Sequence, residues 1–515
     1  MLKCAAIFTD HMVLMRDKEV CVWGQCDGQG NVEVCIDNIQ AQATINDNTW
    51  KVYLPAHAAG GPYLMKVKCG SECIEFVDVY YGEVFLAAGQ SNMEMVLKDS
   101  KGGKDVAKTS DYPLIRYYNV FKTGYIDEKI EQEIASVQWQ SCVGEVSGEM
   151  SAIAYYAARI IYEELQIPIG IVDCYQGGTS ISSWLPEDVL QEYSLGRKYI
   201  TDYKELVGDK TDEEYECEVE EYWKTWHAWD DKVQALKAMN PNVTWDEIVA
   251  EAGDSPWPQP AGNKSIFRPT GAYDSMICTI APYTLGGIFY YQGESDSDYV
   301  ETASLYHELM QALIIHWREL FEDESLYFVI TQLPMYMDKN AEDNYAWAIT
   351  RESQLQLSQN MTNVGLLGIA DCGEYGNIHP TDKRTPGERL GNLVLEERYG
   401  CNRQGKSMIP LDVYKQDGRV VIECGNTYGE ILAECLESAV NMSGGLPLMA
   451  VFEIAGKDGQ YQPCGFMVNH DRIILQTEHL ENVERVRYAW TNYASVRIFN
   501  RAHIPLVPFG EKTVR

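Results

Sequence analysis

Between about residue 80 and residue 405 the chain alternates short apolar runs with longer segments of helical period, and this alternation leaves few folds open. Ser151 to Leu165 sets Ile153, Tyr156, Ala157, Ile160, Ile161 and Leu165 on one stripe, the spacing of an amphipathic helix. An apolar run, Ile167 to Asp173, follows. Pro168 can sit only at the start of that strand, because proline donates nothing to a ladder. Val84 to Ala88, Gly287 to Tyr291 and Tyr327 to Ile330 are further strand candidates. Strand, crossover helix, strand predicts a parallel sheet covered by helices. Active groups then belong in loops at the carboxyl ends of the strands.

The flanks read differently. Residues 1–78 carry a hydrophobic period near two, as in Glu19 to Trp23 and Asn31 to Ile36, which predicts an N-terminal antiparallel β domain. The α/β domain is expected over 79–405, and the strand period returns over 406–515, as in Arg419 to Ile422 and Arg472 to Leu475, predicting a C-terminal β domain. Residues 190–268 are acidic and helical in pattern and end in a proline-rich loop, which reads as an insertion. Its Trp223, Trp226, Trp229 and Trp245 can stack on sugars, although packing of the insertion accounts for them more simply.

The chain has 515 residues, with 42 Lys+Arg against 76 Asp+Glu and a formal charge of −34. A surface this acidic argues against nucleic acid and anionic membrane as partners. No apolar run approaches the roughly 18 residues of a membrane span, and Asp10 and His11 interrupt the first apolar stretch before it reaches the length of a signal-peptide core. The 15 cysteines, odd in number and irregularly spaced, are expected to be reduced thiols in a cytoplasmic protein, with a secreted form carrying a trimmed leader as the alternative. Oligomeric state is not readable.

Val84 to Ala88 ends in Gly89-Gln90-Ser91-Asn92-Met93, a buried strand leading into a tight turn that presents one serine. A serine hydroxyl attacks only when a base takes its proton and donors receive the resulting oxyanion. Met93 stands where a lipase-type elbow has its second glycine, which disfavours that fold but not serine hydrolysis. Gly177-Gly178 ends a second strand and offers unobstructed N–H groups; a plain turn reads equally well. Gln292-Gly293-Glu294 ends a third, where Gln292 can donate to an oxyanion and Glu294 can orient a histidine, or serve as a buried structural carboxylate. His379, one of nine histidines, lies in a glycine-containing loop and is the candidate base. Asp296-Ser297-Asp298 resembles a fragment of a calcium loop, but the later glycine and glutamate are missing. No zinc-helix, phosphate-loop or dinucleotide motif is present.

Taken together these blocks resemble the SGNH (GDSL-like) hydrolases, and within them the sialate O-acetylesterase family of carbohydrate esterases. The resemblance runs through Ala6 to Leu14, Gly89 to Met93, Gly177-Gly178-Thr179 with Trp184, Tyr291 to Ser295, Ile378-His379-Pro380 with Gly387 to Leu390, Phe452 to Gly456 and Val486 to Trp490. It implies a flavodoxin-like parallel sheet flanked by helices, with N- and C-terminal antiparallel β regions. It implies a serine esterase that removes O-acetyl groups from sugars, with O-acetylated sialic acid as substrate, and with no metal or organic cofactor. An acetylated xylan or other plant glycan is the alternative substrate, and a non-catalytic carbohydrate-binding protein the alternative class. Ser91 would be the nucleophile and His379 the base, with the N–H groups of Ser91 and Gly178 and the Gln292 amide at the oxyanion. Gln90 and Trp184 would contact substrate, as would Arg351 if it meets a sialate carboxylate; a structural salt bridge accounts for Arg351 at least as well. Many SGNH enzymes carry an aspartate three residues before the histidine, and this family often has one two residues before; here those positions are Gly376 and Asn377. Glu294 therefore becomes the expected orienting acid, with Asp371 and Glu374 behind it. Asp296 also replaces a common asparagine.

Overall fold

The predicted alternation forms one mixed sheet in the computed structural model, which describes residues 1–515 apart from 29, 241–242, 244, 435–450, 479 and 481. Its strands are β1 (Glu72–Gly89), β2 (Asp111–Asn119), β3 (Gln140–Val143), β4 (Ile169–Tyr175), β5 (Gly287–Tyr291), β6 (Tyr327–Thr331) and β7 (Val364–Leu367), in the spatial order β3-β2-β4-β1-β5-β6-β7. Every neighbouring pair is parallel except β3 with β2. Strands at the centre of such a sheet are covered on both faces, so they need apolar residues at consecutive positions rather than at alternate ones. Accordingly, Val84 to Ala88 and Ile288 to Tyr291 are all buried.

Four helices cover the two faces: α1 (Ala152–Leu165), α2 (Val300–Leu320), α3 (Ala346–Asn360) and α4 (Arg384–Glu397). Alternate strand residues point to opposite sides. Leu86, Ala88, Ile288 and Tyr290 pack in one core with Leu309, Leu313 and Trp317 of α2. Phe85, Ala87, Phe289 and Tyr291 pack in the other with Ile153, Ala157 and Ile161 of α1 and Leu390 and Val394 of α4. Ser151 caps α1, its Oγ accepting from Ala154 N at 3.4 Å while donating to Met93 O at 2.7 Å. The cap thus also ties the start of this helix to the turn after β1.

The sheet continues beyond the α/β layers. The first half of β1 pairs antiparallel with Gly60–Cys69, which pairs with Asn31–Ile36, and Val13–Met15 runs parallel to Tyr80–Gly82. Towards the C-terminus, Ile409–Gln416, Arg419–Gly425, Phe452–Ala455, Gln462–Asn469, Arg472–Gln476, Arg485–Tyr488 and Phe509–Thr513 form a seven-stranded antiparallel sheet. The protein is thus mixed α/β with several sheets. The acidic stretch from 187 to 252 forms helices Glu187–Glu192, Ser194–Val207, Asp212–Met239 and Trp245–Ala252. Trp223 and Trp226 meet edge-on at 5.5 Å, and Trp229 Nε1 donates to Gly253 O at 3.0 Å; the Trp245 side chain lies outside the described residues. Among the described residues, no helix is long and apolar enough to cross a membrane.

Helices α1 and α4 meet through glycines. A Cβ on Gly387 would stand 2.6 Å from Tyr156 Cβ and 2.7 Å from the Ile153 carbonyl oxygen. Alanine improves helix propensity by about 1 kcal/mol, but overpacking at backbone contact costs about 1–3 kcal/mol. Gly387→Ala is therefore expected to lower the thermal midpoint, as measured by circular dichroism.

Candidate active site

Three parallel strands end level with one another. Gly89 of β1 is in register with Tyr175 of β4 on one side and Tyr291 of β5 on the other. Gln90 N donates to Tyr291 O and Gln176 N to Gly89 O, each at 3.0 Å. The loops that leave these strands therefore start at one height. Gly89 has φ +132°, and a Cβ there would lie 2.6 Å from the Tyr291 carbonyl carbon. Only glycine turns the chain this tightly against the neighbouring strand.

Ser91 begins a four-residue helix, Ser91–Glu94, and its Oγ lies 2.8 Å from His379 Nε2. The two residues are 288 positions apart, and their contact is the one a base–nucleophile pair requires. The histidine loop is shaped from within. Asn377 Oδ1 accepts from His379 N at 3.0 Å, Asn377 Nδ2 donates to Glu374 Oε2 at 2.8 Å, and Gly376 turns at φ +74°. Burial and the Lys383 ammonium together push the imidazole pKa down to about 4. The ring is consequently neutral at physiological pH, as a proton acceptor must be.

Gly177 lies directly against Ser91, a Cβ built on it standing 3.1 Å from Ser91 Cβ. Its N–H donates to Glu94 Oε2, and Glu94 Oε1 pairs with Lys122. Gly178 follows at φ +78°. Neither Gly178 N nor Ser91 N donates to a protein acceptor among the described residues, leaving both free for an oxyanion.

Glu294 does not orient the imidazole. Its Oε1 accepts from Asn92 Nδ2 at 2.8 Å, Oε2 has no partner among the described residues, and burial raises its pKa to about 7. Nor do the two acids behind it fill that role: Asp371 pairs with Arg389 at 2.7 Å, and Glu374 holds Asn377. Among the described residues, no carboxylate lies within ion-pair range of the His379 ring. The other expected contacts face inward as well. Gln292 is 1% exposed, and its Nε2 is shared among Asp296 Oδ2 (2.5 Å), Gln90 Oε1 (3.2 Å) and Thr179 O (3.2 Å). Such an amide is committed to cross-linking loops and cannot serve an oxyanion. Gln90 Oε1 also accepts from Gly293 N and Ser295 N, each at 3.3 Å, so Gln90 clamps the first block to the third. Trp184 is fully buried, its Nε1 donating to Thr179 Oγ1 at 2.9 Å. Arg351 is fully buried too, donating to the carbonyls of Pro334, Thr491 and Asn492; it ties α3 to the C-terminal region and is closed to a substrate carboxylate. Asp296 accepts from Tyr199 OH at 2.6 Å and Ile181 N at 3.0 Å. No metal-holding group of His, Cys, Asp and Glu occurs among the described residues.

Two residues that the motif reading passed over hold the centre together. Asn92 follows the nucleophile, and its Nδ2 donates to Glu294 Oε1 and, at 3.0 Å, to Ile378 O, the residue before the base. Its Oδ1 accepts from Lys383 Nζ at 2.5 Å. Lys383 is 2% exposed, and burial draws its pKa down to about 8 against the pull of Glu294. The available signal was Asn92's adjacency to Ser91 and a lysine four residues after the histidine.

The model of the family described as "Carbohydrate esterase, sialic acid-specific acetylesterase" matches residues 258–396, a span that includes Glu294, His379 and Lys383 but not Ser91. Rat sialate O-acetylesterase is 26% identical over 431 residues, 77% of this chain and 73% of that protein. The human sialate O-acetylesterase is 26% identical over 432 residues, 77% and 71% respectively. The crystal structure of a carbohydrate acetylesterase from Xanthomonas citri covers 99% of each chain at TM-score 0.73 and 24% identity, which shows a shared fold. These relatives overturn the expected cytoplasmic location, since sialate O-acetylesterases are generally lumenal or secreted. The cysteine count misled because an odd number does not fix a redox state. Buried Cys26 and Cys69, for example, have their sulfurs 3.4 Å apart, so thiols free here are not beyond pairing.

The network makes a pH prediction. The base is neutral above its pKa, so a lowered value extends activity towards acid. Lys383, charged throughout the acidic range, contributes to that lowering, and Lys383→Met is expected to move the acid limb of kcat/KM to higher pH. An unmoved limb in the pH profile would deny Lys383 this role. With three strand ends level, a bonded serine and histidine, and similar proteins along most of its length, the chain is similar to the sialate O-acetylesterases and is a carboxylic ester hydrolase of the carbohydrate esterase type.

Proposed function

We propose that this protein removes O-acetyl groups from O-acetylated sialic acid through a serine nucleophile. The observation that carries the reading is the 2.8 Å contact between Ser91 Oγ and His379 Nε2, made on a chain whose curated relatives are named sialate O-acetylesterases. Ser91 Oγ attacks the acetyl carbonyl carbon as its proton passes to His379 Nε2. The N–H groups of Ser91 and Gly178 receive the oxyanion. The tetrahedral adduct collapses, the bond to the sugar oxygen breaks, and that oxygen takes the proton from His379. Water, deprotonated in turn by His379, then attacks the acetyl-serine; the acetyl–Oγ bond breaks, Ser91 Oγ takes the proton back from His379, and acetate leaves. Glu294 acts at one remove in this scheme, holding Asn92 rather than the imidazole.

The strand order β4-β1-β5-β6-β7 supports an SGNH-type, flavodoxin-like core, because numbering those strands along the chain gives 2-1-3-4-5, with the nucleophile after the first. On this reading the hydrolase domain is 79–405, the insertion 190–268, and the two β domains 1–78 and 406–515.

Ser91→Ala should abolish acetate release and labelling by a fluorophosphonate probe. Retained labelling would move the nucleophile elsewhere, and an unreactive wild type would favour a binding protein. Acetate release is to be compared on O-acetyl sialic acid and acetylated xylan; preference for xylan would replace the substrate proposed here. Glu294→Gln keeps an oxygen to accept from Asn92, so its kcat is expected to stay within about tenfold of wild type, against the roughly 10⁴-fold loss when a true triad acid becomes its amide.

A further inference from the structure

We propose that Trp257 is the platform on which the sugar ring sits while its acetyl group is in the site; this rests on the esterase reading above. The residue lies in the proline-rich loop among Pro256, Pro258 and Pro260. Its ring reaches the oxyanion side of the centre. A Cβ on Gly178 would stand 2.6 Å from Trp257 Cζ2, and a Cβ on the adjoining Gly177 3.1 Å from Ser91 Cβ. Indole, Gly178, Gly177 and nucleophile are therefore contiguous. Phe267 braces the indole edge-on, with ring centroids 5.3 Å apart and planes at 83°.

Despite these contacts Trp257 is 52% exposed, whereas Trp184 and Trp317 are fully buried. An indole fixed along one edge and open over half its surface offers an apolar face with little freedom left to lose. Fixed φ at the three prolines stiffens the loop that carries it. An acetyl group fills only the space at Ser91 itself. What extends outward from the ester oxygen is the sugar, and the rigid aromatic surface beside Gly178 is suited to the apolar C–H face of a pyranose. The four tryptophans read from sequence as sugar contacts lie elsewhere on the insertion or outside the described side chains. Trp257 instead reaches the Gly177-Gly178 loop beside Ser91. The insertion would on this view bring leaving-group recognition to a centre whose own loops recognise only the acyl group.

The test separates leaving group from acyl group. Steady-state kinetics are measured on an O-acetylated sialic acid and on ethyl acetate, which has no ring to stack. Trp257→Ala is expected to raise KM for the sugar ester about tenfold, the scale of a lost aromatic contact, with kcat/KM for ethyl acetate unchanged within about twofold. Trp257→Phe should recover part of the loss. Fluorophosphonate labelling at the wild-type rate confirms that each variant keeps its site. Equal losses on both esters would make Trp257 a mere prop for Gly178 and overturn the proposal, as would unchanged kinetics on both. A wild type that cleaves ethyl acetate but no acetylated sugar would sink the sugar-esterase reading and the platform with it, whereas an active wild type with an indifferent variant would sink the platform alone.

Discussion

The levelling of three strand ends at Gly89, Tyr175 and Tyr291 is the constraint on which the rest of this site depends. Parallel pairing fixes it: the central strand is bonded on both edges, so its last residue cannot drift relative to either neighbour. A slip of one residue would exchange the two faces of β1, moving Phe85 and Ala87 into the core that now holds Leu86 and Ala88. The cost of that exchange protects the height at which Ser91 emerges. Gln90 and Gln292 then lock the loops laterally, and Ser151 secures the turn from behind through Met93 O.

On that base sits a buried polar group that is expensive to keep. Lys383 and Glu294 are each nearly inaccessible and share Asn92 as intermediary. Removing two charges from water costs several kcal/mol per ion, and such arrangements are weak evidence for stability. Their contribution here is positional and electrostatic. Asn92, the residue after Ser91, holds the carbonyl before His379, while burial and the Lys383 ammonium keep the nearby imidazole neutral. That combination suits a Ser–His pair whose ring has no carboxylate partner among the described residues, because the orientation supplied elsewhere by an acid comes here from the loop's own bonds through Asn377 and Asn92.

The chemistry of this chain was legible where one residue type has few other reasons to occur. A serine after an apolar strand and a rare histidine in a glycine loop led to the bonded pair. The sheet was legible for a related reason, since consecutive apolar residues between helical segments have few alternatives. Direction was not legible. Gln90, Gln292, Trp184 and Arg351 occur in the right blocks, yet each side chain turns into the protein, because a loop's sequence names its groups without saying which way they face. Arg351 lies on a helix whose neighbours Thr350 and Gln354 are also fully buried, an unusually polar inner face that a hydrophobic pattern cannot reveal. Lys383 was invisible for the converse reason: lysine is ordinarily a surface residue, and nothing local announces its burial.

One continuous strand serves two differently built parts of one sheet. From Glu72 to about Val79, β1 belongs to the antiparallel portion, and from Glu83 to Gly89 to the parallel layer that leads into Ser91. The antiparallel portion is consequently no detachable appendage. The two portions share one backbone, bent where Asp78 turns at φ +57° beside a bulge in the antiparallel pairing, so the geometry of that bend sets the direction in which the strand runs on to Ser91.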